Sequence, residues 1–115
     1  MKTDTIQSLP QREFGDLRSR FQRAINLTIE GGSKHYQRKR NLPRLISYAF
    51  QEESQDPGIA TLNIVRRLYG AIRHERQLGK TGHWAYDLNR HIGLRQALRA
   101  ELVALRKIKM QEGWR

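Results

Sequence analysis

Apolar residues recur at intervals of three and four along four segments of the chain, and no segment sustains an alternation of apolar and polar positions. The three-and-four interval places apolar side chains on one face of an α-helix, whereas strands alternate with a period of two. The pattern therefore predicts an all-α fold, a single-domain bundle of about four helices with a long C-terminal helix.

The first helix is predicted over residues 11–30. Its apolar stripe comprises Phe14, Leu17, Phe21, Ala24, Ile25 and Thr28. The stripe stops at Gly31-Gly32, where residues that tolerate a positive φ permit a helix end. A second helix is predicted from Ser33, whose hydroxyl is suited to cap a helix N-terminus, to about Glu52. Pro43 lacks an amide hydrogen, so we expect a kink or a fresh start there.

Asp56 followed by Pro57 is the clearest helix start, because a carboxylate accepts from orphan amide groups and proline suits the first helical position. The third helix is predicted from there to Gly79. Its core-facing residues are predicted to be Leu62, Val65, Tyr69 and Ile72, flanked by Ile59 and Leu68. The fourth helix is predicted over residues 83–109. Its apolar arc comprises Leu88, Ile92, Leu98, Leu102 and Leu105. Gly93 within this helix indicates close packing or a bend.

The 115 residues suffice for one domain with a modest core. We expect a flexible segment over residues 1–10, a helical domain over residues 11–110 and a tail over residues 111–115. The absence of cysteine excludes disulfides and cysteine-zinc sites. The N-terminus lacks an apolar signal segment, and no apolar run is long enough to span a bilayer. We therefore expect a cytoplasmic protein without a membrane span.

Positive charge changes this picture most, because 22 basic residues face 11 acidic ones, for a net charge of +11. Residues 57–115 carry most of the excess, with twelve basic and four acidic side chains. A second concentration lies between Gly31 and Gln51, where there are five lysines and arginines and no acidic residue. Such a potential attracts polyanions and is screened by salt.

The candidate nucleic-acid-binding residues belong to the basic strip of the second helix and to the third helix. They are Lys34, Tyr36, Arg38, Lys39, Arg40, Arg44, Arg66, Arg67 and Arg73. The planar fork of arginine suits phosphate oxygens, and tyrosine can stack on a base. The alternative is a solvated helix face whose aliphatic stems cover apolar surface. Trp84, at the predicted start of the fourth helix, is expected to pack against a neighbour.

No motif supplies catalytic chemistry. Gly79-Lys80-Thr81 resembles the end of a phosphate-binding loop, but that motif requires glycine where His74 stands. His74, His83 and His91 contain no i, i+4 pair, the spacing that places two metal ligands on one helical face. The serines lie in no nucleophile context. We therefore expect a protein that is not an enzyme and has no metal site and no cofactor.

A further pattern runs through the basic strip and the last two helices. It comprises Tyr36, Arg38, Arg40, Leu42, Glu75, Tyr86, Arg90, His91, Ile92, Leu94, Ala97, Leu98 and Glu101. The pattern resembles that of a family of short helical alphaproteobacterial proteins classed only as a domain of unknown function, over about residues 17–106. The resemblance implies a small, cytoplasmic, helical bacterial protein and supplies no activity.

The leading hypothesis is a non-enzymatic protein that binds DNA or RNA, in a transcription-associated or regulatory role, with an affinity that falls steeply as salt rises. The alternative is a helical adaptor or assembly subunit that docks on an acidic protein partner. A third and less favoured class is a protein that lies on an anionic membrane surface. No small-molecule substrate is expected. The leucine-rich stretch from Leu94 to Leu105 makes a homodimer reasonable.

Overall fold

The computed structural model describes the backbone of residues 11–113 and the side chains of residues 18–113. Four α-helices account for most of the described chain: α1 (Gln11–Ser33), α2 (Arg38–Leu45), α3 (Pro57–Lys80) and α4 (Leu88–Glu112). One turn of 3-10 helix, Phe50–Glu52, lies between α2 and α3, and residues 11–113 contain no strand. The predicted all-α fold with a long last helix is confirmed. The expected flexible segment 1–10 and Trp114 lie outside the described residues.

Helix α4 is the central element, because α1, α2 and α3 all pack on it. The contact between α3 and α4 is the most extensive, and the loop of residues 81–87 joins these two helices. The core comprises Leu42 of α2, Ile64, Leu68 and Ile72 of α3, and Leu94 and Ala97 of α4. Within residues 11–113, no helix has both the length and the hydropathy needed to cross a bilayer.

Helix α1 continues through Gly31-Gly32 to Ser33, so the predicted end at residue 30 and the predicted N-terminal cap at Ser33 are wrong. Neither glycine has a positive φ. A Cβ at Gly32 would overlap the side-chain amide of Gln96 on α4, so this glycine permits a close approach of two helices. The Ser33 hydroxyl instead donates to the Glu30 carbonyl at 2.8 Å, in the last turn of α1.

The predicted second helix is also shorter than expected. It begins at Arg38, ends at Leu45 and contains Pro43, and the chain re-forms only one 3-10 turn before α3. The Ile46 N–H still donates to the Leu42 carbonyl at 3.0 Å. Pro43 has no N–H to bond to the preceding turn, and the helix ends two residues beyond it.

Aspartate residues cap both long helices of the core. The Asp56 carboxylate accepts from the N–H groups of Gly58 at 2.9 Å and Ile59 at 3.3 Å, as the sequence predicted. The Asp87 carboxylate accepts from the N–H groups of Asn89 at 2.9 Å and Arg90 at 3.3 Å. Helix α4 therefore starts at Leu88 rather than at residue 83, and the segment before it is a loop.

The buried helix faces differ from the predicted apolar stripes. Seven residues of those stripes are exposed: Phe21, Ala24, Thr28, Ile59, Tyr69, Leu88 and Leu102. Two glutamates, Glu75 and Glu101, are instead buried on the core faces of α3 and α4. The predicted core residues Val65, Leu68, Ile72 and Leu105 are buried, but the apolar pattern did not predict the two glutamates. Charged side chains are almost never buried unless they are paired. The partners of the two glutamates explain their burial.

Candidate nucleic-acid interface

Glu101 is the centre of a buried polar network between α2 and α4. Its side chain is 2% exposed and accepts two hydrogen bonds from Arg38, from Nε at 2.9 Å and from Nη2 at 2.6 Å. The Tyr36 hydroxyl donates to the same carboxylate at 2.7 Å. A bidentate guanidinium–carboxylate pair of this kind combines charge with fixed geometry. It ties the start of α2 to the middle of α4.

The network continues outwards from Arg38. Its Nη1 lies 3.1 Å from Glu53 Oε1, and its Nη2 donates to the Thr61 hydroxyl at 3.0 Å. Tyr48 donates to Glu53 at 2.8 Å. Burial, followed by the hydrogen bond to Glu53, raises the pKa of Tyr48 to about 12. Burial and the hydrogen bond to Glu101 likewise raise the pKa of Tyr36, so both hydroxyls stay protonated donors at neutral pH.

A second buried carboxylate, Glu75, lies near the other end of the α3–α4 pair. It is 3% exposed, and Arg90 Nε lies 3.4 Å from its Oε2. Arg90 also donates from Nη1 to the Leu45 carbonyl at 2.8 Å, which ties the end of α2 to α4. His91, next along α4, shares a 3.0 Å hydrogen bond with Tyr86 through Nδ1. Burial, together with Arg95 and Arg76, lowers the pKa of His91.

The fold therefore buries acidic side chains of the C-terminal half, residues 57–115, and leaves most of its described basic side chains exposed. Two of the four acidic residues in this half are buried against Arg38 and Arg90, and a third, Asp87, caps α4. Ten basic side chains of residues 57–113 are exposed: Arg66, Arg67, Arg73, Arg76, Lys80, Arg95, Arg99, Arg106, Lys107 and Lys109. The exposed charged side chains of residues 57–113 therefore comprise these ten cations and only two carboxylates, Asp87 and Glu112.

Helix α3 carries a row of cations, which we call the α3 ridge: Arg66, Arg73 and Lys80. Their seven-residue spacing places them on one face of the helix, about 10 Å apart. All three are exposed, and no salt bridge joins them to a carboxylate among the described side chains. Tyr69, 48% exposed, lies between Arg66 and Arg73. The only acidic residue of α3 is Glu75, which faces the core.

Helix α2 presents a smaller basic surface. Lys39, Arg40 and Arg44 are exposed, whereas Leu42 is fully buried. Arg40 and Arg44 are four residues apart and therefore adjacent on the helix surface. Lys34 is exposed in the turn after α1.

Candidate cations of α2 and of α3 line different depressions of the surface. Arg44 lines a depression of about 330 Å³ between α1, α2 and α4. Arg66 and Arg67 line another, of about 390 Å³, together with Glu52 and Glu53. Arg67 lies over the Tyr48 ring, 6.0 Å from its centroid. The α2 cations and the α3 cations are therefore distinct candidate contacts.

Seven of the nine candidate residues are exposed: Lys34, Lys39, Arg40, Arg44, Arg66, Arg67 and Arg73. Tyr36 and Arg38 are half-buried and donate to Glu101, which gives them a structural role between α2 and α4. Lys80 was missed, although it continues the seven-residue spacing of Arg66 and Arg73. Glu101 lies seven residues after Leu94 and four before Leu105, on the same face of the helix. This spacing would have predicted its burial.

Among the described residues, no group of three or more histidine, aspartate or glutamate side chains is placed to hold a metal ion. Comparisons with family models, with curated proteins and with solved structures find no match to this chain. Its function is therefore inferred from its own side chains and surfaces.

Proposed function

We propose that this protein binds nucleic acid without catalysing a reaction, and that the exposed cations of α3 and α2 contact its phosphates. The observation that carries the proposal is the burial of Glu75 and Glu101, which leaves a surface rich in lysine and arginine. Phosphate contacts of this kind supply affinity without sequence readout. The α3 ridge is the principal contact, because its three cations are regularly spaced and lack salt-bridge partners among the described residues.

The test is fluorescence anisotropy with labelled duplex and single-stranded probes over a series of salt concentrations. We expect binding at low salt and a linear fall of log affinity with log salt concentration. The triple variant Arg66→Gln/Arg73→Gln/Lys80→Gln should bind more weakly. Its duplex salt slope should be shallower by up to about three units, since each phosphate contact contributes roughly 0.9.

A matched control removes the same charge elsewhere, at exposed cations of α1 and α4, in the variant Arg18→Gln/Arg23→Gln/Lys107→Gln. It should lose less affinity than the ridge variant. An equal loss in both variants would show that net charge acts without a defined interface and would remove α3 from the proposal. The absence of binding to either probe at low salt would refute nucleic-acid binding altogether.

A second function, docking on an acidic protein partner, is favoured by a different surface. Three arginines of α4, Arg95, Arg99 and Arg106, line a depression of about 440 Å³ whose other walls are apolar. The apolar residues are Ile29, Leu98, Leu102 and Val103. A depression lined by arginines and apolar side chains suits an acidic amphipathic helix. Capture of a defined protein that survives nuclease treatment and is lost in Val103→Glu would support this function over the first.

A further inference from the structure

The loop between α3 and α4 exposes the largest apolar side chain of the described residues. Trp84 is 90% exposed, so the expectation that it packs against a neighbour is wrong. Tryptophan is highly buried on average, because its indole gains more than other side chains from leaving water. A tryptophan held almost wholly in solvent is therefore a candidate contact for a ligand.

The loop holds the indole in a defined place. The His83 N–H donates to the Leu78 carbonyl at 2.9 Å, and the Tyr86 N–H donates to the His83 carbonyl at 3.0 Å. His83 Nδ1 accepts from the Ala85 N–H at 3.0 Å, which fixes its ring. The Trp84 ring stacks on that ring, with centroids 5.4 Å apart and planes 28° apart. One face of the indole is thus supported by an imidazole, and the rest is open.

Tight contacts also anchor the loop to the end of α3. Gly82 has a φ of 64°, a left-handed conformation that glycine adopts without strain. The Tyr86 ring lies so close to Gly79 that a Cβ there would stand 3.2 Å from its Cε1 atom. The platform is therefore preorganised, which lowers the entropy cost of using it.

The α3 ridge leads directly to this loop. Lys80 is the last residue of α3 and lies four residues before Trp84. The single acidic residue of the loop is Asp87, whose carboxylate already accepts from two backbone N–H groups at the start of α4. A row of cations followed in the chain by an exposed aromatic ring matches the way single strands are bound, with phosphates on the cations and a base on the ring.

We propose that Trp84 is the stacking platform for an unpaired base of a single-stranded nucleic acid whose phosphates follow Lys80, Arg73 and Arg66. This inference rests on the proposed function and narrows it to single strands. A duplex keeps its bases stacked on one another, so it offers phosphates to the ridge and no free base to the indole. A lipid surface or a protein partner would also accept an exposed indole, but a straight row of cations about 10 Å apart along one helix matches a linear polyanion.

The experiment uses the full chain with the substitution Trp114→Phe. The sequence has two tryptophans, so Trp84 is then the only one that fluoresces. Addition of a deoxythymidine 15-mer should quench the fluorescence of Trp84, and a 15-base-pair duplex should bind without comparable quenching. Trp84→Ala should weaken binding of the single strand by about 5-fold to 150-fold, the range measured for loss of one stacked base. Trp84→Phe, which keeps an aromatic face, should recover part of the loss.

The matched control is Met110→Ala, which removes another highly exposed apolar side chain away from the loop. Its affinity for the single strand should equal that of the parent, and circular dichroism should show unchanged helix in every variant. Binding of the single strand without quenching, or without an effect of Trp84→Ala, would overturn the stacking site and leave phosphate binding intact. Equal quenching by the duplex or by anionic vesicles would also overturn it. Failure of every oligonucleotide to bind would refute the proposed function itself.

Discussion

Replacement of Arg38 by methionine tests the buried network most directly. Glu101 is 2% exposed, so removal of the guanidinium leaves a carboxylate out of water with only the Tyr36 hydroxyl as a hydrogen-bond donor. Loss of one partner from a buried ion pair costs about 3–5 kcal/mol. A small domain has about 5–15 kcal/mol of stability in total, so Arg38→Met should leave the protein close to unfolding.

The double variant Arg38→Met/Glu101→Leu should be more stable than the single one. It removes the unpaired charge, and apolar replacements of a buried ion pair are often nearly neutral. We expect it to recover at least about 2 kcal/mol of the loss, so the two substitutions should be strongly non-additive.

Urea denaturation followed by far-ultraviolet circular dichroism measures each free energy of unfolding. The control is Arg99→Met, because Arg99 and Glu30 also form a salt bridge, at 3.2 Å, but both side chains are about half exposed. Its loss should cost at most about 1 kcal/mol. A cost of Arg38→Met no larger than that of the control, or additive single and double variants, would refute the central role of the Arg38–Glu101 pair.

Three further outcomes are expected. Gly70→Ala should raise the free energy of unfolding by about 0.5–1 kcal/mol, because a Cβ there meets no atom within 4 Å and alanine favours helix. Gly82→Ala should lower the free energy of unfolding in the same urea titration, because Gly82 has a left-handed φ. Asp56→Ala should lower it by about 1 kcal/mol through loss of the α3 cap. The pKa of His91 is lowered in the folded protein, so as pH falls His91 of the unfolded chain is protonated before His91 of the folded protein. The midpoint of urea denaturation should therefore fall as pH drops below about 6.5. His91→Gln should flatten this dependence, and an unchanged pH profile would contradict it.

The sequence predicted a helix boundary correctly where that boundary depends only on neighbouring residues. Asp56 and Pro57 predicted the start of α3, since a cap and a proline depend only on the adjacent turn. Gly31-Gly32 misled the prediction, because glycine serves both turns and close helix contacts, and only the position of Gln96 on another helix decides between them.

The exposed cations of the candidate interface were predictable from the sequence, but the buried ion pair beside them was not. Runs of lysine and arginine are visible in the sequence, and most of them are exposed. The pairing of Arg38 with Glu101 joins residues 63 positions apart, so no local pattern reveals it. Trp84 was expected to pack because a tryptophan at a helix start usually does, but Asp87 begins the helix instead and leaves the indole in a loop.

The peripheral place of α1 has a consequence for how the chain opens and folds. Among its described side chains only Ile29 is buried, and its main packing partner is α4. The α3–α4 hairpin is built from contacts close in sequence, which form early, whereas α1 must close a long loop to reach residues 95–106 of α4. Amide protons of α1 should therefore exchange with solvent sooner than those of α3, through detachment of this one helix while the hairpin stays folded.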